Sequence, residues 1–379
     1  MLDIINESLI TKSAYEFTNK HIKPIASKID SNDSFPHELW QTMGAHGLLG
    51  ICAPKKYGGA ELGYEYLCKI MQAISYGSAA VGLSYAAHSN LCINQIAQYG
   101  NDSQQEKFLP NLICGKHVGA IAISEISHGS DALGMELDAK EQNSHYILNG
   151  SKMWITNGPD ANIIVVYART KRSERKADGI TAFIVTSDMH GLKKMKKINK
   201  MGMRGSNTCE LLFENVAVPK ENILGEANKA KDILLSGLDC ERVILAAGPI
   251  GIMEAALEMT TQYSRMRRQF NCPIGNFQLI QAKLADMYTA YHSSIAYLEA
   301  TVKRLNERNC PTEAAASVIL LAAENATKVC LDAIQIFGGN GYTNDYEVSR
   351  LLRDAKLYEI GAGTSEIRRL IIGRKVFSG

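Results

Sequence analysis

The sequence predicts an α+β protein with three domains: an N-terminal helical domain, a middle domain that is an antiparallel β-barrel or sandwich, and a C-terminal four-helix bundle. Helical apolar patterns fill residues 1–118, and β-branched runs without helices between them fill residues 119–231. Closely spaced strands of this kind are typical of antiparallel sheets. Long helical patterns then occupy residues 232–379, and long helices joined by Pro- or Gly-bearing loops are typical of a bundle.

The N-terminal domain contains a stretch of small and apolar side chains, residues 81–98. That composition predicts a helix packed on several sides. Asp102 and Gln105 have the spacing of a capping box, which satisfies backbone N–H groups at a helix start. We therefore expect the next helix to begin there.

The β-domain opens with two β-rich runs on either side of Asn149-Gly150. Both residues of this pair tolerate a positive φ, so the pair predicts a two-residue hairpin turn. Three further β-rich runs follow, and they cover residues 162–170, 179–187 and 209–218.

Four helical patterns make up the C-terminal domain. We expect helices over residues 241–263, 278–306, 312–337 and 366–377. Asp239 and Glu241 then lie in the first turn of the first helix, where the helix dipole favours negative charge.

The charge balance excludes one class of function. Among 379 residues, 41 basic and 39 acidic side chains leave a formal net charge of +2, so binding of nucleic acid through phosphate neutralisation is not expected. Two basic runs, residues 169–176 and 193–200, are interpreted as an exposed loop and a solvated edge; alternatively, both steer a phosphate-bearing ligand or an acidic carrier protein. Ser173-x-x-Lys176 matches a nucleophile motif, but a nucleophile needs a desolvated site.

The sequence predicts neither a membrane span nor a disulfide framework. No uncharged stretch is both long and apolar enough to span a bilayer, and the acidic N-terminus lacks the basic region of a secretion or transit signal. Nine cysteines without Cys-x-x-Cys spacing predict reduced thiols and no metal site. We therefore expect a cytoplasmic protein.

The usual nucleotide signatures are missing, because no Gly-x-Gly-x-x-Gly follows a strand and no Walker loop is present. Four other segments, in this order within a helix–β–helix chain, resemble the acyl-CoA dehydrogenase family of flavoenzymes over essentially the whole chain. The segments are residues 119–131 (GAIAISEISHGSD), Trp154-Ile155-Thr156, residues 267–270 (RRQF), and residues 338–342 (GGNGY) with 358–369 (YEIGAGTSEIRR).

The resemblance implies a reaction and a base. In the family, an α-proton leaves an acyl thioester while a hydride leaves the β-carbon for N5 of FAD, which requires a carboxylate as general base. Most members carry that glutamate immediately before the Gly-Thr of the late motif, where this sequence has Ala362. Resemblance to the isovaleryl branch, whose base lies in an Asp-x-Glu-Arg segment, implies Glu241 instead. Small residues at Gly361 and Ala362 suit an acyl chain that is branched or cyclised near its carbonyl.

The resemblance also implies contact residues. FAD contacts are implied for Ile121, Ile123, Ser124, Trp154, Ile155, Thr156, Thr364, Ser365 and Glu366. Positions that reach FAD from a neighbouring subunit match Arg267, Gln278, Gln335, Gly338 and Gly339, which implies an obligatory homo-oligomer, usually a tetramer. Substrate contacts are implied for Ser130, Asp239, Arg242, Ala362 and Gly363, with the backbone N–H near Ala362 acting as an oxyanion hole.

Four positions depart from the family's pattern: Ile126, His128, Asp232 and Asn271. His128 and Asp232 are expected near the path of the thioester arm, so they bear on the carrier of the acyl group. Two substrates therefore remain open: a short branched acyl-CoA of the isovaleryl type, or an amino-acyl group such as prolyl on an acyl or peptidyl carrier protein. The electron acceptor is open between an electron-transferring flavoprotein and oxygen. A flavin-binding scaffold without turnover is disfavoured because Glu241 is retained.

Overall fold

The computed structural model describes residues 2–172 and 178–378, so the Ser173-x-x-Lys176 motif lies outside the described residues. The N-terminal part folds into seven α-helices, with π-helical segments at Thr18–Ile22 and Ala87–Ile93. The helices are α1 (Leu2–Phe17), α2 (Ala26–Asn32), α3 (Glu38–Ala45), α4 (Tyr64–Gly77), α5 (Ala79–Ala86), α6 (Asn94–Tyr99) and α7 (Asp102–Ile113).

The capping box of α7 lies one residue earlier than predicted. The Asn101 side chain accepts a hydrogen bond from the Gln104 backbone N–H at 2.9 Å, and the Gln104 side chain accepts one from the Asn101 N–H at 3.1 Å. Asn101 and Gln104 therefore form the box, and Asp102 and Gln105 do not. The helix predicted over residues 81–98 is present as α5, the second π-helical segment and α6.

The middle domain is one mixed sheet of eight strands in the order β6-β7-β3-β2-β4-β5-β8, with β1 paired to β4. Most neighbours are antiparallel, as predicted, but β1 runs parallel to β4 and places Gly119 opposite Ile163. The strands are β1 (Gly119–Ala122), β2 (Asp138–Gln142), β3 (His145–Thr156), β4 (Ile163–Arg169), β5 (Ile180–Thr186), β6 (Leu192–Lys194), β7 (Thr208–Pro219) and β8 (Ile223–Leu224).

The hairpin predicted at Asn149-Gly150 is wrong. Strand β3 continues through both residues and pairs with β7, and a register shift between Leu148 and Gly150 marks a bulge. Gly150 has a φ of 135°, which a bulge accommodates within a strand. The hairpin turn lies instead at Asn143-Ser144, between β2 and β3, where Asn143 has a φ of 52°.

Strand β4 joins the β-domain to the helices because it is buried on both faces. A continuous apolar run is what such a strand requires. Its alternate side chains enter two cores, with Ile163, Val165 and Tyr167 in the helical core and Ile164, Val166 and Ala168 in the interior of the β-domain.

The C-terminal domain packs four long helical segments against one another, α8–α9, α10, α11 and α13. The predicted bounds of α10 and α11 are confirmed to the residue. The elements are α8 (Ala230–Leu245), α9 (Ala247–Met266), β9 (Arg268–Gln269), β10 (Cys272–Pro273), α10 (Gln278–Asn306), α11 (Thr312–Phe337), α12 (Val348–Ala355) and α13 (Ser365–Ser378).

The single helix expected over residues 241–263 is instead two helices that meet at Ala246. Pro249 explains the break, because it offers no N–H to the Leu245 carbonyl and its ring clashes with that carbonyl. Glu241 consequently lies near the C-terminal end of α8, where the helix dipole disfavours negative charge. The expected stabilisation by a helix start is therefore wrong.

The stretches Ala230–Met266 and Thr312–Tyr342 have the length and apolar composition of membrane spans. Within them, the most apolar windows are 78% and 56% buried inside the protein, so packing in the bundle accounts for their composition. All nine cysteines are described and are free thiols.

Candidate active site

The ends of β1 and β3 meet at the edge of the β-domain. Met153 donates its backbone N–H to the Ser124 carbonyl at 2.9 Å, which brings the chain after β1 beside Trp154. Trp154 has a φ of 60°, a conformation rare for a bulky residue, and its side chain is 50% exposed. Backbone strain that holds an aromatic ring open to solvent is a feature of ligand sites, and this ring offers a face on which a planar group can stack.

The other residues predicted near Trp154 differ in burial. Ile121, Ile123 and Thr156 are partly buried at the same edge. Ile155 is buried in the interior of the β-domain, although the register of β3 against β7 shifts between Lys152 and Ile155. A contact from Ile155 to a ligand on the Trp154 side therefore involves its backbone.

An ion pair that the sequence did not reveal holds this edge in place. Lys152 is fully buried and donates hydrogen bonds of 2.8 Å to both the Glu125 carboxylate and the Ile123 carbonyl. Burial lowers the pKa of Lys152 to about 8, although Glu125 opposes that shift. For Glu125, burial raises the pKa, but Lys152 and two backbone N–H groups outweigh it and bring the pKa below its ordinary value. The available signal was a lysine directly before the apolar run Met153-Trp154-Ile155 of β3.

The predicted base, Glu241, is a buried carboxylate with 9% of its surface exposed. Among the described residues, none donates a hydrogen bond to that carboxylate. Burial raises the pKa of Glu241 to about 7, against the charges of Arg242 and Arg368, which lower it. A carboxylate with its pKa near neutrality and free lone pairs is equipped to accept a proton from a carbon acid.

Asp239 and Arg242, which lie one turn apart on α8, form a salt bridge. Arg242 donates to the Asp239 carboxylate at 2.7 Å, and the Thr312 hydroxyl donates to the other oxygen at 2.7 Å. Asp239 thus fixes Arg242 and the start of α11, while Arg242 keeps its Nε buried without a partner among the described residues. The structure therefore gives Asp239 a positioning role; its predicted contact with substrate remains a prediction.

The segment before α13 brings a strained loop to the same place. Ala362 and Gly363 have φ values of 56° and 90°, and a Cβ placed on Gly363 would lie 4.0 Å from Arg242 Nη2. Within the described residues, neither Ala362 nor Gly363 donates its N–H to a backbone carbonyl. Two open N–H groups near a buried carboxylate are the elements of an oxyanion hole.

The start of α13 carries three residues predicted to contact FAD. Thr364 accepts a hydrogen bond from the Ile367 N–H at 3.3 Å and so caps the helix. Ser365 is buried, and its hydroxyl has no partner among the described residues, while Glu366 is exposed. A buried hydroxyl without a partner at a helix N-terminus suits an anionic or polar ligand group.

A second group of predicted FAD contacts lies far from Glu241 in the same chain. It is tied together by stacking of Tyr263 on Phe337, with ring centroids 4.0 Å apart. The 20 residues of α9 separate it from the Glu241 end of α8, about 30 Å at 1.5 Å per residue. The group comprises Arg267, Gln278, Gln335, Gly338 and Gly339, all exposed.

Most departures from the family's pattern lie at the surface. Ile126 is 71% exposed, and Asp232 is exposed in the first turn of α8. Ser130, which follows β1 and is a predicted substrate contact, is also exposed. His128 is partly buried, with its Nδ1 3.5 Å from Glu125. Asn271, with a φ of 63°, turns the chain between β9 and β10, a conformation that asparagine tolerates well.

The basic run of residues 193–200 is mostly occupied within the protein. Lys194 donates to the Ala161 carbonyl at 2.6 Å, and Lys200 donates to the Ser206 carbonyl at 2.8 Å. Lys193 pairs with Glu214, and Lys197 lies 3.2 Å from the Asp33 carboxylate. The interpretation of this run as a solvated edge therefore holds only in part, since Lys197 fastens the β-domain to the N-terminal helices.

The helix–β–helix order and the buried carboxylate on α8 agree with the resemblance to the acyl-CoA dehydrogenase family of flavoenzymes. Three family models match in the same order: the N-terminal domain of acyl-CoA dehydrogenase over residues 6–116, its middle domain over residues 120–216, and its C-terminal domain over residues 232–377. The chain belongs to the acyl-CoA dehydrogenase family.

Known relatives cover nearly the whole chain. Mitochondrial isovaleryl-CoA dehydrogenase of Arabidopsis thaliana is 53% identical over 368 residues, with 97% of this chain and 90% of that protein covered. Mitochondrial 2-methylacyl-CoA dehydrogenase of Solanum tuberosum is 52% identical over 368 residues, covering 97% and 89%. The solved structure of the prolyl acyl carrier protein oxidase AnaB has a TM-score of 0.94 and 31% identity, covering 98% of each chain.

The buried ion pair yields a stability prediction. Lys152→Met leaves the Glu125 carboxylate buried without its counter-charge, so we expect unfolding free energy to fall by about 3–5 kcal/mol in urea denaturation. Lys140→Met, the same change at an exposed position of β2, should cost less than about 0.5 kcal/mol. Adding Glu125→Gln to Lys152→Met should recover part of the loss, and equal losses for Lys152→Met and Lys140→Met would contradict the role of the pair.

Proposed function

We propose that this protein is an FAD-dependent dehydrogenase that introduces an α,β double bond into a short branched acyl-CoA of the isovaleryl type. The observation that carries this proposal is the buried carboxylate of Glu241, together with an alanine, Ala362, where most family members carry their base. The identity of just over one half to isovaleryl-CoA dehydrogenase supports the same reading.

The residues present fit FAD. The exposed Trp154 ring offers a stacking face, and the unpartnered hydroxyl of buried Ser365 offers a polar contact at the start of α13. When bound, FAD supplies an acceptor for the hydride of the β-carbon.

The chain's own residues supply the remaining chemistry. The Glu241 carboxylate takes the α-proton, and its burial keeps water from competing for that proton. The open N–H groups of Ala362 and Gly363 stabilise the negative charge that develops on the thioester oxygen as the proton leaves. A Cβ placed on Gly361 would meet nothing nearer than the Leu357 carbonyl oxygen at 3.6 Å, so there is room for a branched chain beside this loop.

The candidate substrates differ in the position of the branch and in the carrier of the acyl group. The relatives at 52–53% identity bear names with different branch positions, so identity alone does not separate an isovaleryl group from a 2-methylacyl group. A carrier-protein substrate is the alternative, supported by the structural likeness to AnaB. It is weakened by the lysines of residues 193–200, since Lys193, Lys194, Lys197 and Lys200 are engaged within the protein.

We further propose that the enzyme is a homo-oligomer, a tetramer, in which Arg267 and its neighbours serve the FAD site of another copy. A helix of about 30 Å separates Arg267 from Glu241 in one chain. Phe270 and Tyr342, beside that group, are 89% and 91% exposed, as expected of residues that another copy covers. The free thiols of all nine cysteines support the cytoplasm as the proposed location.

The assignment of Glu241 as the base predicts the effect of its substitution on flavin reduction. Anaerobic addition of isovaleryl-CoA should bleach the flavin, whereas Glu241→Gln should slow bleaching by about 100- to 10,000-fold with FAD still bound, because Gln accepts no proton. Glu254→Gln is the matched control, since Glu254 on α9 accepts hydrogen bonds from Tyr15 and Gln72 away from the site. Bleaching of Glu241→Gln at the wild-type rate would refute the assignment.

The same bleaching assay distinguishes the candidate substrates and the candidate electron acceptors. Stopped-flow bleaching is compared for isovaleryl-CoA, a 2-methylacyl-CoA and prolyl-loaded carrier protein. Turnover of the loaded carrier protein alone would overturn the acyl-CoA proposal. Readmission of air, or addition of an electron-transferring flavoprotein, then shows which one reoxidises the flavin.

The charged and neutral groups around Glu241 predict how the rate of flavin reduction depends on pH. The groups that face it are Arg242 and Arg368, with Cys240 and Tyr167 neutral because burial raises the pKa of each. With the pKa of Glu241 at about 7, only the deprotonated form works, so kcat/KM for flavin reduction should fall about tenfold per unit below pH 7 and level off above it. A flat profile from about pH 5 to 8 would show that Glu241 has the pKa of an ordinary carboxylate.

Complementation tests the shared site. Arg267→Glu and Glu241→Gln should each be inactive alone. When the two variants are co-expressed and pair at random, about half of the pairs contain one copy of each variant. In such a mixed pair one of the two sites has both native residues, so about a quarter of wild-type activity should return. Sites built from a single chain would give no recovery. Light scattering of the same samples reports the oligomeric state.

A further inference from the structure

Arg368 on α13 is a fully buried arginine. Its Nη1 donates to the Tyr358 carbonyl at 2.7 Å, and its Nη2 donates to the Gly361 carbonyl at 2.6 Å. Its Nε is buried without a hydrogen-bond partner among the described residues. Two backbone carbonyls, and no carboxylate of the described residues within salt-bridge distance, therefore hold this charge.

A charge buried in this way is costly. Taking a guanidinium out of water without a carboxylate partner is unfavourable, and an apolar side chain of similar volume often serves stability as well or better. The charges around it act in both directions, since Arg242 repels Arg368 while Glu241, Glu324 and Glu359 attract it. A buried charge adds no stability by itself, so the role of this arginine lies in the two carbonyls that it holds.

One of those contacts acts directly on the oxyanion hole. The Gly361 carbonyl and the Ala362 N–H belong to the same peptide unit, which is planar and points the two groups in opposite directions. A donor that fixes the carbonyl therefore fixes the direction of the N–H. A charged donor on the carbonyl also polarises the peptide and strengthens the N–H as a donor in its turn.

We propose that Arg368 is a positioning residue that orients and polarises the Gly361–Ala362 peptide, so that the Ala362 N–H is directed at the thioester oxygen of the substrate. The second bond, to the Tyr358 carbonyl, anchors the guanidinium and keeps the fork from rotating. This inference rests on the proposed function, because it assigns a partner to the oxyanion hole of that reaction. It adds a residue that does not touch substrate and acts through the peptide.

The test compares Arg368→Lys and Arg368→Gln with Arg369→Lys. Lysine keeps the charge but has a compact head that lacks the planar fork, so it cannot hold both carbonyls as arginine does. Glutamine is neutral and removes a buried unpaired charge, so it should fold even where lysine does not. Arg369, the next residue, pairs with Glu324 at the surface, and Lys can keep that pair.

Flavin reduction by isovaleryl-CoA is measured per bound FAD. Both Arg368 variants should reduce kcat by about 10- to 100-fold with a smaller change in KM, because a misdirected N–H weakens the transition state more than binding. Arg369→Lys should match wild type. In Arg368→Gln the pH midpoint of the reaction should also rise, since a charge that favours ionised Glu241 is gone. In Arg368→Lys the pH midpoint should not change, because lysine keeps the positive charge.

An infrared measurement separates positioning from a merely structural role. A non-reactive thioester labelled with ¹³C at its carbonyl should show a lowered stretching frequency on wild type, and both Arg368 variants should return it toward its value in water. Wild-type reduction rates in both variants, or a slower rate with an unchanged carbonyl frequency, would overturn the proposal. Failure of wild type to be bleached by any acyl thioester would instead refute the proposed function, and the infrared comparison distinguishes the two.

Discussion

The constraint on which this site depends is that a carboxylate must be dry enough to receive a proton from carbon and yet remain able to ionise. Burial alone drives the pKa of Glu241 upward, and the end of α8 adds to that effect. Arg242 and Arg368 oppose it from two sides without forming a salt bridge to it among the described residues. Each arginine is in turn held by another group: Arg242 by Asp239, and Arg368 by two carbonyls. The base can therefore ionise near neutral pH with its lone pairs free.

The length of the bundle imposes a second constraint. Helices of 20 and 26 residues, α9 and α11, start near Glu241 and end at Met266 and Phe337, about 30–40 Å away. Thr312, the first residue of α11, marks the near end because it donates to Asp239. Groups at opposite ends of such helices cannot meet within one chain around a small substrate. The proposed oligomer resolves this separation by letting each end serve the cofactor site of a different copy, so oligomerisation and cofactor binding are coupled in that proposal.

The sequence predicted long regular elements well and local irregularities poorly. The bounds of α10 and α11 were predicted to the residue because their apolar period extends over 29 and 26 residues. Asn149-Gly150 failed because the same dipeptide that favours a turn also fits a bulge, and pairing with β7 decided between them. Glu241 was identified through resemblance, but Arg368 and the Lys152–Glu125 pair were not. Glu125 lies 27 residues before Lys152, and Arg368 binds backbone carbonyls 10 and 7 residues before it, which no side-chain pattern in the sequence marks.

The lysines of residues 193–200 show why a charge run is weak evidence for a partner. From the sequence the run was interpreted as a solvated edge, with steering of a charged partner as the alternative. In the structure Lys197 binds Asp33 of the N-terminal helices, and Lys194 and Lys200 donate to backbone carbonyls. A lysine with an internal partner must give it up before it can bind an acidic carrier, and an exchange of one partner for another brings little net attraction. Choice between acyl carriers therefore cannot rest mainly on this edge. In the proposed function the acyl group is selected instead at the loop of Gly361 and Ala362, where a Cβ on Gly361 would meet nothing nearer than 3.6 Å and a branched chain has room.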